Sequence, residues 1–202
     1  MHVFSGLYKS RKIITPKGEK TRPTSGRLRE TLFNICQGRI EGAAFLDLFA
    51  GSGAMGLEAL SRGADHITFV DNSRESIRCI KANLESFGIT KSGDVIYSDV
   101  FEAMKKLAKS CRLFDVIYAD PPYDTFIQGT HEKKTLSTHV LSVLDELMEL
   151  KLPLLKTGGS VFLEDAPESL PEGKVFKHFI LKDKRNMGRS AFQRWDLKKE
   201  GE

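Results

Sequence analysis

The residues best placed to do chemistry lie in Asp47-Leu48-Phe49-Ala50-Gly51-Ser52-Gly53-Ala54-Met55-Gly56, where an apolar run starting at Phe45 breaks into glycines and then into helix formers. Gly51 and Gly53 let the backbone turn sharply and approach a ligand closely, and Gly56 lets the following helix sit close to a sheet. Gly51-x-Gly53-x-x-Gly56 also fits a dinucleotide fingerprint, with the acidic Asp71 at a suitable distance. Asp47, four residues ahead of the first glycine, argues for another ligand. Its carboxylate would repel a pyrophosphate and attract an amino-acid ammonium, such as the one S-adenosylmethionine carries. Asp71 closes the run Ile67-Thr68-Phe69-Val70 and can accept from both hydroxyls of a ribose. The plainer alternative is a tight strand-to-helix turn capped by Ser52, with a solvated Asp71.

A second group, Asp120-Pro121-Pro122-Tyr123, follows the apolar run Phe114-Asp115-Val116-Ile117-Tyr118. Prolines fix the backbone and bias their predecessors toward extended geometry, so the Asp120 carboxylate and a nearby carbonyl can point the same way. An exocyclic base amine needs such a pair of acceptors, because its lone pair is delocalised into the ring. Two accepted N–H bonds pin the amine and favour the positive charge that develops as it attacks. Tyr123 offers an aromatic face on which an extruded base can stack. The plainer alternative is a stiff turn with a helix-capping aspartate. The pattern alone does not separate guanine N2 from adenine N6 or cytosine N4.

These groups require a parallel sheet, whose ligand sites lie at the C-terminal ends of the strands. From Phe45 onward, short apolar runs alternate with helical stretches, the signature of such a sheet covered by helices. Strands are expected at 45–49, 66–70, 93–97 and 114–119, with helices at 54–62, 73–87 and 100–109. After a polar stretch to about His139 come a helix through Leu141, Leu144, Leu147, Met148 and Leu150 and a strand at Ser160–Glu164. Two further strands, Val175–Leu181 and Ser190–Leu197, are expected to be joined through Lys182 to Arg189. Ahead of the sheet, Gly6–Ile14 alternates apolar and basic residues as a short strand or hairpin would, and Thr15-Pro16-Lys17-Gly18 reads as a turn. A helix capped by Thr24 or Ser25 then runs through Arg27 to Ile35 and ends near Gly38, with Leu28, Leu32 and Ile35 on the face turned to the sheet.

A hydrophobic content of 40% over 202 residues is enough for a full core. No run approaches the roughly 18 apolar residues of a membrane span. Met1–Gly6 leads into lysines without the apolar centre of a signal peptide, so the cytoplasm is the expected compartment. Cys36, Cys79 and Cys111 lie far apart and outside any C-x-x-C spacing. They are expected to be buried, reduced thiols, and no metal site is indicated. His66, His131, His139 and His178 lie in no metal-ligand spacing either. The net charge of +4 divides unevenly: residues 1–29 hold eight basic residues against Glu19, a net +7, and the remainder carries −3. A basic arm on a mildly acidic body suits a protein that brings a polyanion to a site, each cation neutralising a phosphate. Removal of residues 1–20 is expected to weaken binding of such a polyanion while leaving the fold and the pocket at the glycine loop intact.

Taken together, Asp47–Gly53 with Gly56-Leu57-Glu58-Ala59, the segment Arg22-Pro23-Thr24 through Arg29-Glu30-Thr31-Leu32-Phe33-Asn34, and Asp120-Pro121-Pro122-Tyr123 resemble the motifs of one family. It is the RsmD-type bacterial small-subunit (16S) ribosomal RNA guanine-N2 methyltransferases, within the class I S-adenosylmethionine-dependent enzymes. The resemblance covers most of the chain. It implies an α/β, Rossmann-like fold: a mostly parallel seven-stranded sheet with helices on both faces and an antiparallel C-terminal strand. Residues 1–22 would form a basic RNA-binding arm and 23–202 the methyltransferase domain. Asp47, Gly51 and Gly53 would line the methionine end of S-adenosylmethionine, Asp71 the ribose and Asp99 the adenine amine, with Phe49, Ser52, Asn72 and Val100 completing the set. Asp120, Pro121, Pro122 and Tyr123 would meet the target base, and Lys9, Arg11, Lys12 and Arg22 the RNA. The partner implied is small-subunit ribosomal RNA, naked or in a partly assembled particle. The enzyme would act as a monomer, without metal or membrane. The stretch from Asp124 to about His139 is longer and more polar than the family pattern. Asp99 could instead cap the helix that follows it, and Glu164 could be structural or face the substrate. Three rivals fit parts of the pattern: an amino-methyltransferase acting on adenine N6 or cytosine N4 of DNA, a nicotinamide-dependent oxidoreductase using the same glycine loop, and a binding module that keeps the pocket without turnover.

Overall fold

Short apolar runs and amphipathic stretches become strands and helices in the order read from the sequence. They are α1 (Gly26–Ile35), β1 (Ala44–Leu48), α2 (Ala54–Ser61), β2 (His66–Asp71), α3 (Arg74–Ser86), β3 (Gly93–Tyr97), α4 (Val100–Lys109), β4 (Phe114–Ala119), α5 (Leu136–Glu149), β5 (Leu155–Asp165), β6 (Phe179–Met187) and β7 (Ser190–Leu197). The structure, a computed structural model, describes residues 1–16, 26–122, 135–171, 173–188 and 190–199. Arg22, the caps expected at Thr24 or Ser25, and Tyr123 lie outside these residues, as does much of the Asp124–His139 stretch. The strands form one sheet in the order β3-β2-β1-β4-β5-β7-β6, and the chain divides into two compact units, Met1–Val100 and Phe101–Glu202.

In the first unit β1 and β2 pair in parallel, Leu48 opposite Val70, and β2 pairs in parallel with β3, Asp71 opposite Tyr97. Phe45, Leu46, Leu48, Ile67, Phe69 and Val70 are all buried, as strands covered on both faces require. Every residue of α2 is buried. It lies so close to β2 that a Cβ built on Gly56 would stand 2.3 Å from the Phe69 ring and 2.7 Å from Ile67. Any side chain there would force Phe69, Ile67 or the helix itself to shift. Ser73 caps α3 by accepting from the Ser76 N–H at 3.3 Å, and Ile77, Ile80 and Leu84 turn inward. On α1 the buried apolar residues are Leu28, Leu32 and Phe33, with Arg29 buried beside them, whereas Ile35, expected on the inner face, is half-buried. The four-residue spacing of Leu28 and Leu32 sets the face, and Phe33 widens it on the side away from Ile35.

The N-terminal segment departs from its expected form. Instead of a strand or hairpin over Gly6–Ile14, a single antiparallel bridge joins His2 to Lys12, and the chain between them turns. Val3 and Ile13 are the apolar residues it buries.

In the second unit β4 and β5 are parallel, while β7 runs antiparallel to both β5 and β6. Thr135 caps α5 through the Thr138 N–H at 3.2 Å. Lys182 to Met187, expected in the connection, extend β6 instead. Their lysines and arginine are no obstacle, because β6 closes the sheet order and its exposed side chains reach water. A shift of register between Leu181 and Asp183 marks a bulge in this strand. Of the cysteines, Cys36 and Cys79 are buried as expected. Cys111 is exposed, in a left-handed conformation (φ 55°) just past the end of α4.

Candidate active site

Asp47 sits one residue from the end of β1 and is only 1% exposed. Its Oδ2 accepts the Gly56 N–H at 3.0 Å, so the first turn of α2 closes over the carboxylate. Burial pushes the Asp47 carboxyl well above the usual carboxylate range and the nearby Asp71 charge adds to this, while the Gly56 hydrogen bond opposes both. A buried carboxylate held in that state favours a cation beside it.

The loop that follows is held at almost every polar group. Phe49 adopts φ 58°, a conformation costing a non-glycine residue roughly 1–3 kcal/mol and concentrated at ligand sites. Ala50 donates its N–H to the Val70 carbonyl at 3.0 Å, and Gly53 donates to the Ala50 carbonyl at 2.7 Å. The Gly51 N–H reaches Asp71 Oδ2 at 2.8 Å, and the Ser52 carbonyl accepts from Asn83 Nδ2 at 3.0 Å. Gly53, at φ 76°, occupies the cap of α2 with no side-chain hydrogen bond, so Ser52 is not the cap. A Cβ placed on Gly51 would meet no described atom within 4 Å. The space over the loop is open to a ligand.

Asp71 joins this loop to the next element. Its Oδ1 accepts the Ser73 N–H at 2.7 Å while Oδ2 holds Gly51. Each carboxylate oxygen keeps capacity for a hydroxyl donor. The Asp71 carbonyl accepts the Ser98 N–H at 3.2 Å, which ties the ends of β2 and β3. Asn72 and Asp99 are exposed on this rim, and Val100 is buried as it opens α4. The first unit thus assembles Asp47, Phe49, Gly51, Ser52, Gly53, Asp71 and Asn72 around one loop, with Asp99 and Val100 at the end of the neighbouring strand.

In the second unit Asp120 is half-buried directly after β4, Pro121 is buried and Pro122 exposed. Glu164 on β5 is buried and accepts the Tyr118 hydroxyl at 2.5 Å, so a phenol holds this carboxylate inside the sheet.

Lys9, Arg11 and Lys12 are all exposed. Arg11 is also engaged with the end of α3: its guanidinium lies 4.7 Å from the Phe87 ring centre and donates to the Ser86 and Phe87 carbonyls. Two residues the sequence did not single out hold the segment that carries these cations. Glu58, fully buried in α2, accepts the Phe4 N–H at 2.8 Å, the Ser5 N–H at 3.1 Å and Arg62 Nε at 2.8 Å. Asn83 of α3 accepts the Ile14 N–H at 2.7 Å and donates to the Ile14 carbonyl at 2.9 Å. The signal for Glu58 was a lone acid in the otherwise uncharged Ala54–Ser61. For Asn83 it was an amide on the same face as Ile80 and Leu84.

The chain resembles known proteins along nearly its whole length. The family model described as "Conserved hypothetical protein 95" matches residues 1–195. A Bacillus subtilis protein, YlbH, named as a candidate rRNA methyltransferase, is 36% identical over 172 residues, 85% of this chain and 86% of its own. The Escherichia coli protein named ribosomal RNA small subunit methyltransferase D is 32% identical over 171 residues, 81% of this chain and 83% of its own. Among solved structures, an Escherichia coli protein, yhhF, named as a candidate methyltransferase, superposes with a TM-score of 0.76 at 26% identity, over 98% of this chain and 97% of that one. With its glycine loop, its paired aspartates and this likeness from end to end, the chain belongs to the "Conserved hypothetical protein 95" family, the RsmD-type methyltransferases.

Proposed function

We propose that the protein transfers a methyl group from S-adenosylmethionine to the exocyclic N2 amine of a guanine in small-subunit (16S) ribosomal RNA. The observation that carries this reading is the buried Asp47 carboxylate beneath the Gly51–Gly53 loop, raised by burial and by Asp71. A pyrophosphate over that loop would add negative charge to a pair of acids, whereas an amino-acid ammonium relieves them. This favours S-adenosylmethionine over a nicotinamide dinucleotide. The names of the relatives favour ribosomal RNA over DNA.

The residues fit the cofactor. Asp47, with Phe49, Ser52 and the glycines, would hold its methionine end, Asp71 its ribose hydroxyls, and Asp99 with Asn72 and Val100 its adenine. When bound, S-adenosylmethionine supplies a methyl group already activated by the sulfonium charge. Asp120 and a carbonyl of the Asp120–Pro122 turn would accept both N–H bonds of the base amine and aim its nitrogen lone pair at the methyl carbon. With the methyl–sulfur bond breaking to leave a neutral thioether as the C–N bond forms, the Asp120 carboxylate would offset the positive charge on nitrogen and would take the surplus proton or pass it to water. Tyr123 would stack on the extruded guanine. Lys9, Arg11, Lys12 and Arg22, within residues 1–22, would meet phosphates and leave the chemistry to residues 23–202.

The test is mass mapping of methylated nucleosides in small-subunit RNA, naked and in partly assembled particles, treated with the protein and S-adenosylmethionine. N2-methylguanine at one position is expected. Methyl transfer to duplex DNA alone, or tight NAD binding without S-adenosylmethionine binding, would overturn the proposal.

A further inference from the structure

Asn83 occupies an unusual place: it is fully buried, and its carboxamide spans two regions that the reading above gives to different ligands. The amide has one acceptor oxygen and two N–H donors. Oδ1 takes the Ile14 N–H at 2.7 Å, and Nδ2 donates to the Ile14 carbonyl at 2.9 Å and to the Ser52 carbonyl at 3.0 Å. Both N–H bonds are therefore used. Ile14 follows Lys9, Arg11 and Lys12 in the N-terminal segment, and Ser52 lies between Gly51 and Gly53 in the loop. The Ser52–Gly53 peptide is thus held at both ends, its N–H on the Ala50 carbonyl at 2.7 Å and its carbonyl on Asn83, and Asn83 is the side chain among these contacts that ties its direction to a segment outside the loop. The same side chain receives Ile14 by both its N–H and its carbonyl, as a neighbouring strand would.

Resting on the assignment of the loop to S-adenosylmethionine and of the segment to RNA, we propose that Asn83 is a positioning residue. It sets the glycine loop in its cofactor-binding form and couples that form to docking of the N-terminal segment. RNA held by the segment and cofactor held by the loop then favour one another. Linkage requires the effect to be reciprocal: RNA tightens cofactor binding by the factor with which cofactor tightens RNA binding.

The experiment measures S-adenosylmethionine affinity by calorimetry, with and without saturating small-subunit ribosomal RNA, for the intact protein and for Asn83→Ala. RNA is expected to tighten cofactor binding by about fivefold or more in the intact protein. In Asn83→Ala the cofactor affinity should fall about tenfold without RNA and the RNA effect should vanish. Lys9→Glu with Lys12→Glu should instead weaken RNA binding and leave cofactor affinity without RNA unchanged. A folded Asn83→Ala protein with unaltered affinity and unaltered RNA effect would overturn the inference alone. A purely structural amide would give that result, lowering only the melting temperature. Hydrogen exchange on the intact protein decides the matter if the variant does not fold. RNA without cofactor should slow exchange of the Gly51 and Gly53 amides, and unchanged exchange would overturn the proposal. If the intact protein binds no S-adenosylmethionine, the functional reading fails and the inference fails with it.

Discussion

At the scale of single residues, burial decides what the two acids of the loop do. Asp47 titrates above the unfolded-chain value of about 3.9. Between those two pH values the native state holds a proton that the unfolded chain has released. The resulting stability is fully present below about pH 4 and is lost as pH rises through the folded-state value. Asp47→Asn can still accept the Gly56 N–H but carries no charge. It is expected to raise the unfolding free energy of the ligand-free protein by about 1–3 kcal/mol at pH 7–8, with the gain shrinking toward zero near pH 4. Denaturant titrations across that range check it, and a pH-independent difference would remove the buried charge from the account. The same variant should bind S-adenosylmethionine poorly. Asp71 and Asp120 separate binding from chemistry. Asp71→Ala is expected to weaken cofactor binding by about 1–3 kcal/mol, whereas Asp120→Ala should abolish transfer and leave cofactor affinity nearly unchanged. Equal losses of both quantities in Asp120→Ala would contradict the assigned role.

At the scale of elements, Gly56 shows how much of the site rests on one missing side chain. A methyl group there meets the Phe69 ring and Ile67, so Gly56→Ala should cost about 1–3 kcal/mol of stability by overpacking. It should also weaken cofactor binding, because α2 carries the N–H that holds Asp47. A thermal scan showing an unchanged or higher midpoint would mean that the helix shifts without penalty. The N-terminal segment calls for a different experiment from the one the sequence suggested. Deleting residues 1–20 would strip two N–H donors from the buried Glu58 and both Ile14 bonds from Asn83. The expectation that such a deletion leaves fold and pocket intact is therefore abandoned. Lys9→Glu with Lys12→Glu keeps the backbone in place. It should flatten the logarithmic salt dependence of RNA binding, each lost phosphate contact removing roughly 0.7–0.9 from the slope, while circular dichroism stays unchanged. A slope that does not move would leave these lysines as solvated surface.

At the scale of the whole molecule, the sheet was legible because its strands are short apolar runs separated by helical periods, a pattern that needs no knowledge of partners. The bounds expected for β3, α4 and β4 coincide with those observed. Legibility failed where the deciding contacts are distant in sequence. Lys182–Met187 looked like a loop because its charges suit water, yet pairing with β7 makes it a strand at the end of the sheet order. The loop of the site could be read from its glycines and from Asp47 and Asp71. Glu58 and Asn83 could not be assigned roles, since each takes its meaning from a segment more than fifty residues away.

That separation also sets an order of events in folding. Residues 1–14 can settle only after α2 and α3 exist, because Phe4 waits for Glu58 and Arg11 waits for Phe87. Closing loops of this length costs entropy that only the assembled helices return. The beginning of the chain is therefore expected to lock last, over a sheet and helices already in place. Val3→Ala, which opens space at a buried side chain of the segment, should speed unfolding and leave the folding rate almost untouched, a φ value near zero. Stopped-flow kinetics across a range of denaturant would measure it, and a slowed folding arm would place the segment in the nucleus instead.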